Sequence, residues 1–181
     1  MMYLKKLNSE DVNAQYLLFR DIPENINGYT NEFHGCSLED YKSSVLPKLK
    51  AWENGVGLPE GYVPETYYYF WVDDNIAGEV RIRHHLCKSL VNGSGHIGYY
   101  LAPAFRGKGL GVKLLEMAVI KASKIIPEDE IYLRVEKSNV PSLKCMLKIG
   151  GYIHHEDEEH YYVRIKKLSK EDMYGRDQEQ A

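Results

Sequence analysis

The sequence predicts one domain of mixed α/β structure, and three observations lead to that prediction. The chain has 181 residues, the size of a single domain with an ordinary hydrophobic core. Strand-prone segments alternate along it with segments whose apolar residues recur every three or four positions. In residues 95–124 an apolar segment, a glycine-rich turn and a long helical pattern follow one another. This strand, turn and helix unit is the most constrained part of the chain.

The composition argues against several functional classes of protein. Hydrophobic residues make up 44% of the chain and charged residues 27%, values typical of a globular protein. The net charge of −3 argues against a nucleic-acid-binding surface, which is normally strongly basic. No apolar segment approaches the roughly 20 residues that span a bilayer, and the first residues lack the apolar core of a signal peptide. We therefore expect a cytoplasmic protein that binds neither nucleic acid nor membranes.

The cysteines and histidines predict neither disulfides nor a metal site. Cys36, Cys87 and Cys145 are widely spaced and form no C-x-x-C pair, which favours reduced thiols. Cys145 lies in a helical pattern without an evident base partner, so it is a poor nucleophile. The pairs His84-His85 and His154-His155 should point to opposite faces of their strands, and no zinc-binding motif is present. We expect no bound metal.

The first part of the chain predicts a strand, a helix and a loop. Residues 3–7 are strand-prone, and Asn8 or Ser9 can cap the helix that follows. The apolar face of that helix consists of Val12, Tyr16 and Phe19. Residues 21–35 then have the composition of a loop.

A second helix begins near Ser37, where apolar residues again recur at helical spacing. Pro47 interrupts the pattern and should kink or split the helix. Residues 54–64 contain three glycines and two prolines and predict a long loop of the kind that often binds ligands. Four acids in or beside the two loops could attract a cationic ligand or simply belong to a solvated surface: Glu24, Glu32, Glu60 and Glu65.

Residues 66–72 and 77–85 predict the two arms of a β-hairpin, because both are strand-prone and turn-forming residues separate them. Alternate positions of the second arm differ in polarity. One face is mainly apolar, with Val80, Ile82 and His84. The other face is charged, with Glu79, Arg81, Arg83 and His85.

The second half of the chain continues the alternation of helices and strands. Residues 96–101 predict a central strand, and the helix at 109–124 carries an apolar stripe that includes Leu114 and Ala118. A strand, a helix that ends at a Gly-Gly pair, and two strands around an acidic turn follow: 131–135, 139–149, 152–155 and 160–166. The domain therefore covers 1–168, and the polar tail at 169–181 should fray.

The glycine spacing restricts the ligand of the central turn. Arg106, Gly109 and Gly111 form the pattern R-x-x-G-x-G at the start of a helix. The nucleoside-triphosphate loop would need Gly-Lys-Ser/Thr after a four-residue gap, and the dinucleotide fingerprint would need a glycine where Leu114 stands. A helix start has unpaired N–H groups, and glycines without Cβ atoms let a phosphate approach them. Lys108 adds a second positive charge.

This pattern resembles the pyrophosphate-binding motif of the GNAT N-acetyltransferases, in which backbone amides hold the diphosphate of acetyl-CoA. The order of elements resembles the same superfamily over roughly residues 3–167. The segments VPETYYYF, IRHHL and GHIGY are similar to a group of bacterial acetyltransferases without a defined acceptor. The resemblance implies a fold of about seven strands, mostly antiparallel with a splayed central parallel pair, and four helices.

The resemblance also implies acetyl-CoA as the substrate that is bound at this turn. Leu101 would pair its backbone with the pantetheine arm as though the arm were an added strand. Asn139 and Ser142 match an Asn-x-x-Ser pattern that contacts pantetheine, and Asn139 can cap its helix as well. The residues implied in cofactor binding are Tyr100, Leu101, Ala102, Arg106, Gly107, Lys108, Gly109, Leu110, Gly111, Val112, Asn139 and Ser142.

The catalytic residues are less constrained by the sequence. The resemblance puts His96 near the usual position of the base, but a hydrogen-bonded strand histidine would look the same. Glu79 is the next candidate, unless it is an exposed partner of Arg81 or Arg83. The family often has a general-acid tyrosine where this chain has Met146, and a thioether cannot donate a proton. The thiolate must then be protonated by water, by Tyr99 or another tyrosine, or by the amine's own proton.

The sequence therefore predicts an acetyl-CoA-dependent N-acetyltransferase that acts on a primary amine of a small molecule or peptide by direct attack in a ternary complex. The alternative is an acyl-CoA-binding sensor or partner-binding module that has lost turnover, and Met146 motivates it. A homodimer is possible under either function.

Overall fold

The computed structural model describes residues 1–169, and its elements follow the predicted order. The predicted tail lies outside the described residues except for its first residue. The strands are β1 (Met2–Lys6), β2 (Asn25–Ile26), β3 (Tyr29–Thr30), β4 (Glu65–Val72), β5 (Asn75–Arg83), β6 (Ile97–Leu101), β7 (Glu130–Glu136), β8 (Tyr152–Glu156) and β9 (His160–Lys166). The helices are α1 (Val12–Asp21), α2 (Leu38–Asp40), α3 (Leu46–Glu53), α4 (Lys88–Val91), α5 (Leu110–Ile125) and α6 (Val140–Lys148).

The strands form two larger sheets and one small hairpin. The first sheet has the antiparallel order β1-β4-β5-β6, and the second has the order β7-β9-β8. These seven strands are the ones predicted. The hairpin β2-β3 lies within the segment that was predicted to be only a loop.

The two sheets are joined at one point beside β6. Gly95 forms an isolated bridge with Leu133, and the His96 N–H donates to the Tyr132 carbonyl at 2.7 Å. A Cβ atom on Gly95 would lie 2.1 Å from that carbonyl oxygen, so only glycine permits this approach. The bridge is antiparallel in type, but it precedes β6. Beyond it, no backbone ladder joins β6 to β7 in the described chain, and the two strands part as a splayed pair.

Two hydrophobic cores lie on opposite sides of the first sheet. Helix α5 packs on one side and places Leu114, Leu115 and Ala118, all fully buried, against apolar residues of both larger sheets. Helices α1 and α3 cover the other side, where Tyr41 and Tyr69 are fully buried. The predicted apolar face of α5 is therefore its buried face.

The second helix is divided as the proline predicts. Ser37 caps α2 by a reciprocal capping box with Asp40. A π-helical turn at Tyr41–Val45 follows, and Pro47 occupies the first turn of α3, where it needs no intrahelical hydrogen bond.

The charged face of β5 is buried, not solvent-exposed. Only 2% of Glu79 and 7% of Arg81 is accessible. Helix α1 and the β2-β3 hairpin cover this face, and the Tyr29 hydroxyl donates to Glu79. The alternative of Glu79 as an exposed ion-pair partner is therefore wrong.

Cys36, Cys87 and Cys145 are free thiols, as predicted. No helix within residues 1–169 has the length and apolar character required to cross a bilayer.

Candidate active site

A cavity of about 700 Å³ fills the gap where β6 and β7 part. Its walls come from β6, the turn before α5, the end of β7, the start of α6 and the β2-β3 hairpin. Most of the residues that the sequence indicated line it: Tyr99, Tyr100, Leu101, Arg106, Gly107, Gly109, Gly111, Val112, Asn139 and Ser142. Ala102, Lys108 and Leu110 do not line the cavity, and neither do His96 and Glu79.

The glycine turn leaves an open surface at the start of α5. Gly107 and Gly109 both have φ of +76°, and a Cβ atom at either position would meet no atom within 4 Å. No side chain in the described chain caps the first turn of α5. Apart from that of Val112, which donates to the Gly109 carbonyl, its N–H groups are available to this open space. We call this surface, formed by Gly107, Gly109 and the start of α5, the glycine cradle. A diphosphate could approach these donors, and the positive end of the helix dipole would favour its charge.

The other residues of the turn contribute in different ways. Arg106 donates from Nε to the Leu101 carbonyl at 2.8 Å and lies over the Tyr100 ring, which fixes its charge beside the turn. Lys108 is exposed and donates to the Ala104 carbonyl. A Cβ atom on Gly111 would lie 3.2 Å from Cys145 Sγ, so this glycine permits close packing of α5 on α6.

The edge of β6 offers unpaired backbone groups to the cavity. The Arg83 N–H donates to the His96 carbonyl, and the Ala102 N–H donates to the Ala77 carbonyl. Hydrogen bonding alternates along an antiparallel ladder, so the N–H groups of Tyr99 and Leu101 point away from β5. No strand pairs with that edge within residues 1–169. An extended ligand can therefore bind there as an added strand.

The start of α6 lies across the cavity from β6. Asn139 caps α6 by accepting the Ser142 N–H at 3.4 Å. The Tyr99 hydroxyl lies 2.7 Å from the Ser142 hydroxyl oxygen. Burial raises the pKa of Tyr99 well above its ordinary value, so the phenol keeps its proton at neutral pH. Met146 is buried and also lines the cavity.

His96 has a structural environment that argues against the role of base. Its side chain is fully buried, with 0% exposed. The Tyr132 N–H donates to Nδ1 at 2.9 Å, so the ring proton must be on Nε2, which lies 3.1 Å from a Glu128 carboxylate oxygen. Both ring nitrogens are therefore occupied. Burial lowers the pKa of His96, and the neutral ring links β7 to the start of β6.

Glu79 lies directly behind the wall of the cavity. Tyr29 lines the cavity and donates its hydroxyl to one Glu79 oxygen, while the other oxygen has no hydrogen-bond partner in the described chain. Burial raises the pKa of Glu79, and the positive charge of Arg81 opposes the shift. A second cavity of about 10 Å³ touches Glu79 and Arg81 and approaches the size needed for one water molecule.

Tyr29 and the hairpin that carries it are functional features that the sequence did not predict. Asn27 and Gly28 are a two-residue Asn-Gly turn with φ of +51° and +76°, between two short strands. Asn-Gly between strand-prone residues is a strong hairpin signal, and it was present in the segment predicted to be a loop. Arg81, Arg83 and Arg134, not assigned to the site from the sequence, also line the cavity.

No group of three or more His, Cys, Asp or Glu side chains within residues 1–169 is arranged to hold a metal ion. The expected separation of His154 and His155 is wrong. An irregularity in strand pairing brings their Nδ1 atoms to 2.8 Å.

Comparison with known families identifies the family of the chain. The sequence matches the Acetyltransferase (GNAT) family over residues 26–152, which is more than half of the chain. The chain belongs to this family, as its glycine motif and element order predicted. Comparison with curated proteins found no significant match.

Three solved structures illustrate the shared fold. An N-acetyltransferase from Staphylococcus aureus Mu50 is similar with a TM-score of 0.62 and 14% identity, over 93% of this chain and 99% of that one. Campylobacter jejuni N-acetyltransferase PseH, in complex with acetyl coenzyme A, has a TM-score of 0.57 and 19% identity, over 93% and 100%. Vibrio cholerae spermidine N-acetyltransferase, in complex with CoA and spermine, has a TM-score of 0.59 and 17% identity, over 96% and 98%.

A valine at Gly109 should weaken CoA binding by at least about tenfold, or about 1.4 kcal/mol. Its side chain would occupy the open space above the helix N–H groups. Gly150→Val is the control, because Gly150 also has positive φ and open surroundings but does not line the cavity. Calorimetry with CoA measures both variants. Wild-type CoA affinity in a folded Gly109→Val protein would contradict binding of the diphosphate at the glycine cradle.

His96→Ala should lower the free energy of unfolding by about 1–3 kcal/mol at pH 7.5, because the buried Tyr132 N–H loses its acceptor. The folded-state pKa of His96 is lowered, so its contribution is present above the unfolded histidine pKa of about 6.5 and is lost as pH falls below it. The difference from wild type should therefore shrink at pH 5. Denaturation curves at both pH values test this, with exposed His155→Ala as the control. Unchanged stability with a shifted rate-versus-pH profile would restore the catalytic role.

Proposed function

We propose that the protein transfers the acetyl group of acetyl-CoA to a primary amine by direct attack within a ternary complex. The observation that supports this most strongly is the continuity of one cavity from the glycine cradle, along the free edge of β6, to Tyr29 in front of Glu79. Binding of CoA alone would need the cradle and the edge. It would not need a buried carboxylate connected to the cavity by a tyrosine.

The cradle and the strand edge would hold the two parts of the substrate. The N–H groups at the start of α5 and the charge of Arg106 would bind the diphosphate. The Leu101 N–H would bind the pantetheine arm, since the Leu101 carbonyl already accepts from Arg106. Asn139 and Ser142 would contact the same arm from α6.

The same edge would stabilise the charge that develops during attack. The amine nitrogen forms a bond to the thioester carbonyl carbon, and the carbonyl oxygen becomes negative. The Tyr99 N–H faces the gap between the strands and can donate to that oxygen. A fixed backbone donor away from bulk water stabilises such charge without reorganising.

Glu79, acting through Tyr29, is the proposed proton acceptor. The amine gives its proton to the Tyr29 oxygen as the Tyr29 proton moves to Glu79. The raised pKa of Glu79 makes it a stronger base than an exposed glutamate. This assignment takes the role from His96, whose nitrogens are both engaged.

Tyr99 is the proposed proton donor to the leaving thiolate. The carbon–sulfur bond breaks, and the Tyr99 hydroxyl protonates the sulfur to give free CoA and an amide. Tyr99 lines the cavity opposite α6, where Met146 has no proton to give. The Ser142 hydroxyl can return a proton to Tyr99 from solvent.

Glu79→Gln should lower kcat by about 10²-fold, the effect of losing a positioned base, and leave CoA affinity unchanged. The test measures release of free thiol from acetyl-CoA with a panel of primary amines. Glu10→Gln, an exposed glutamate on the surface, is the matched control. Amine-dependent thiol release by the wild type supports the transferase. Tight CoA binding without amine-dependent release would favour the acyl-CoA sensor.

A further inference from the structure

The cavity has an unusual balance of charge. Four arginines line it, and among the described residues no aspartate or glutamate does: the arginines are Arg81, Arg83, Arg106 and Arg134. Arg106 is committed to the cradle through its bond to Leu101. The other three line the same cavity and are not part of the cradle.

The acids nearest to these arginines do not neutralise them fully. Glu65 accepts the Tyr67 hydroxyl at 2.7 Å and has an oxygen 3.8 Å from Arg83 Nε, too far for a hydrogen bond. Glu79 is held by Tyr29. Both carboxylates are buried, and neither residue lines the cavity.

One of the arginines retains a buried donor group with no hydrogen-bond partner in the described chain. Arg81 is bonded to the Thr30 carbonyl and lies 4.0 Å from the centre of the Tyr29 ring, while its buried Nε has no acceptor. Arg83 donates from Nη1 to the Gly95 carbonyl at 3.1 Å. Burial lowers the pKa of Arg83, although Glu65 opposes the shift. A buried cationic donor of this kind favours an anionic ligand whose oxygens can accept its hydrogen bonds.

Arg83 and Arg134 both lie beside the join between the two sheets. Arg83 bonds to Gly95, and the neighbouring Ser94 lines the cavity. Arg134 follows Leu133, the residue that bridges to Gly95. Arg134 lies opposite Tyr162 on β9 and lines the same cavity. The planar guanidinium of an arginine can donate two parallel hydrogen bonds to two oxygens of a carboxylate or a phosphate.

We propose that the acceptor is a primary amine that carries a negatively charged group, a carboxylate or a phosphate, bound by Arg83 with Arg81 and Arg134. This inference rests on the proposed transferase function, and it names the substrate class of that site. It differs from the alternative in which the acids on the loops attract a cationic ligand. A polyamine such as the spermine in the Vibrio cholerae complex would place positive charge against three arginines.

The test compares amines of equal length and different charge on the protein saturated with CoA. The probes are 5-aminopentanoate, pentylamine and 1,5-diaminopentane, with 3-aminopropyl phosphate to distinguish the two anions. Calorimetry measures binding, and thiol release from acetyl-CoA measures turnover. We expect the better anionic probe to bind roughly tenfold to 100-fold more tightly than pentylamine, and the diamine to bind most weakly.

Arg83→Gln should remove most of that preference while CoA affinity stays unchanged. Glutamine keeps a donor for the Gly95 carbonyl, so the join between the sheets should persist. Arg20→Gln, an exposed arginine of α1 outside the cavity, should keep the preference. A variant that fails to fold is replaced by Arg83→Lys, which should bind the anion more weakly because it cannot form two parallel bonds.

The two proposals fail in different ways. Anion preference in binding without thiol release from any amine would support the anionic site and refute the transferase. Thiol release that is equal or faster with the diamine or pentylamine would support the transferase and overturn the anionic site. Equal binding of all four probes would overturn it as well.

Discussion

The structure depends on a strand pair that is joined at one point and open beyond it. Gly95 approaches the backbone of β7 more closely than any residue with a Cβ atom could, and His96 supplies the hydrogen bonds that hold the approach. Because pairing stops there, β6 keeps one unpaired edge inside the protein. Buried backbone groups normally require partners, so an edge of this kind is stable only where solvent or a ligand reaches it. The cavity follows from the strand geometry.

The first sheet separates two kinds of interior. On one side, α5 covers the apolar face of β5 and forms an ordinary hydrophobic core. On the other side, the charged face of β5 is covered by tyrosines and the small hairpin. Buried charges are tolerated when they are paired and hydrogen-bonded, and the tyrosine hydroxyls provide part of that bonding. Among the charged groups of this face, Arg81 Nε and one Glu79 oxygen have no hydrogen-bond partner in the described chain, and they lie next to the proposed acceptor site.

The sequence predicted the parts of the fold that depend on local pattern. Strand alternation located the hairpin of β4 and β5, and glycine spacing located the start of α5. The proposed cofactor side of the cavity was predictable because a glycine turn at a helix start is a local motif. The proposed roles of His96 and Glu79 were not, because they depend on which tertiary neighbours each side chain meets. Alternation assigned Glu79 to a charged face, but it could not tell that α1 and the small hairpin cover that face.

The arginines are a second example of a feature that a local sequence pattern cannot predict. Arg83 and Arg134 are about 50 residues apart in sequence, and the join at Gly95 brings their strands to the same cavity. Their shared role is therefore absent from any local pattern. The sequence left open whether the acids on the loops attract a cationic ligand, and none of these acids lines the cavity. Charge near a site has to be judged from which groups face it.

The central claim is that the free edge of β6 binds the pantetheine arm of CoA as an added strand, and amide hydrogen exchange at Leu101 tests it most directly. In the protein alone, the Leu101 amide should exchange faster than the Tyr100 amide, which faces β5. Saturation with CoA should slow exchange at Leu101 by at least about tenfold, since a new hydrogen bond forms there. Exchange at Tyr100 should change much less. Unchanged exchange at Leu101 in the presence of saturating CoA would contradict the account.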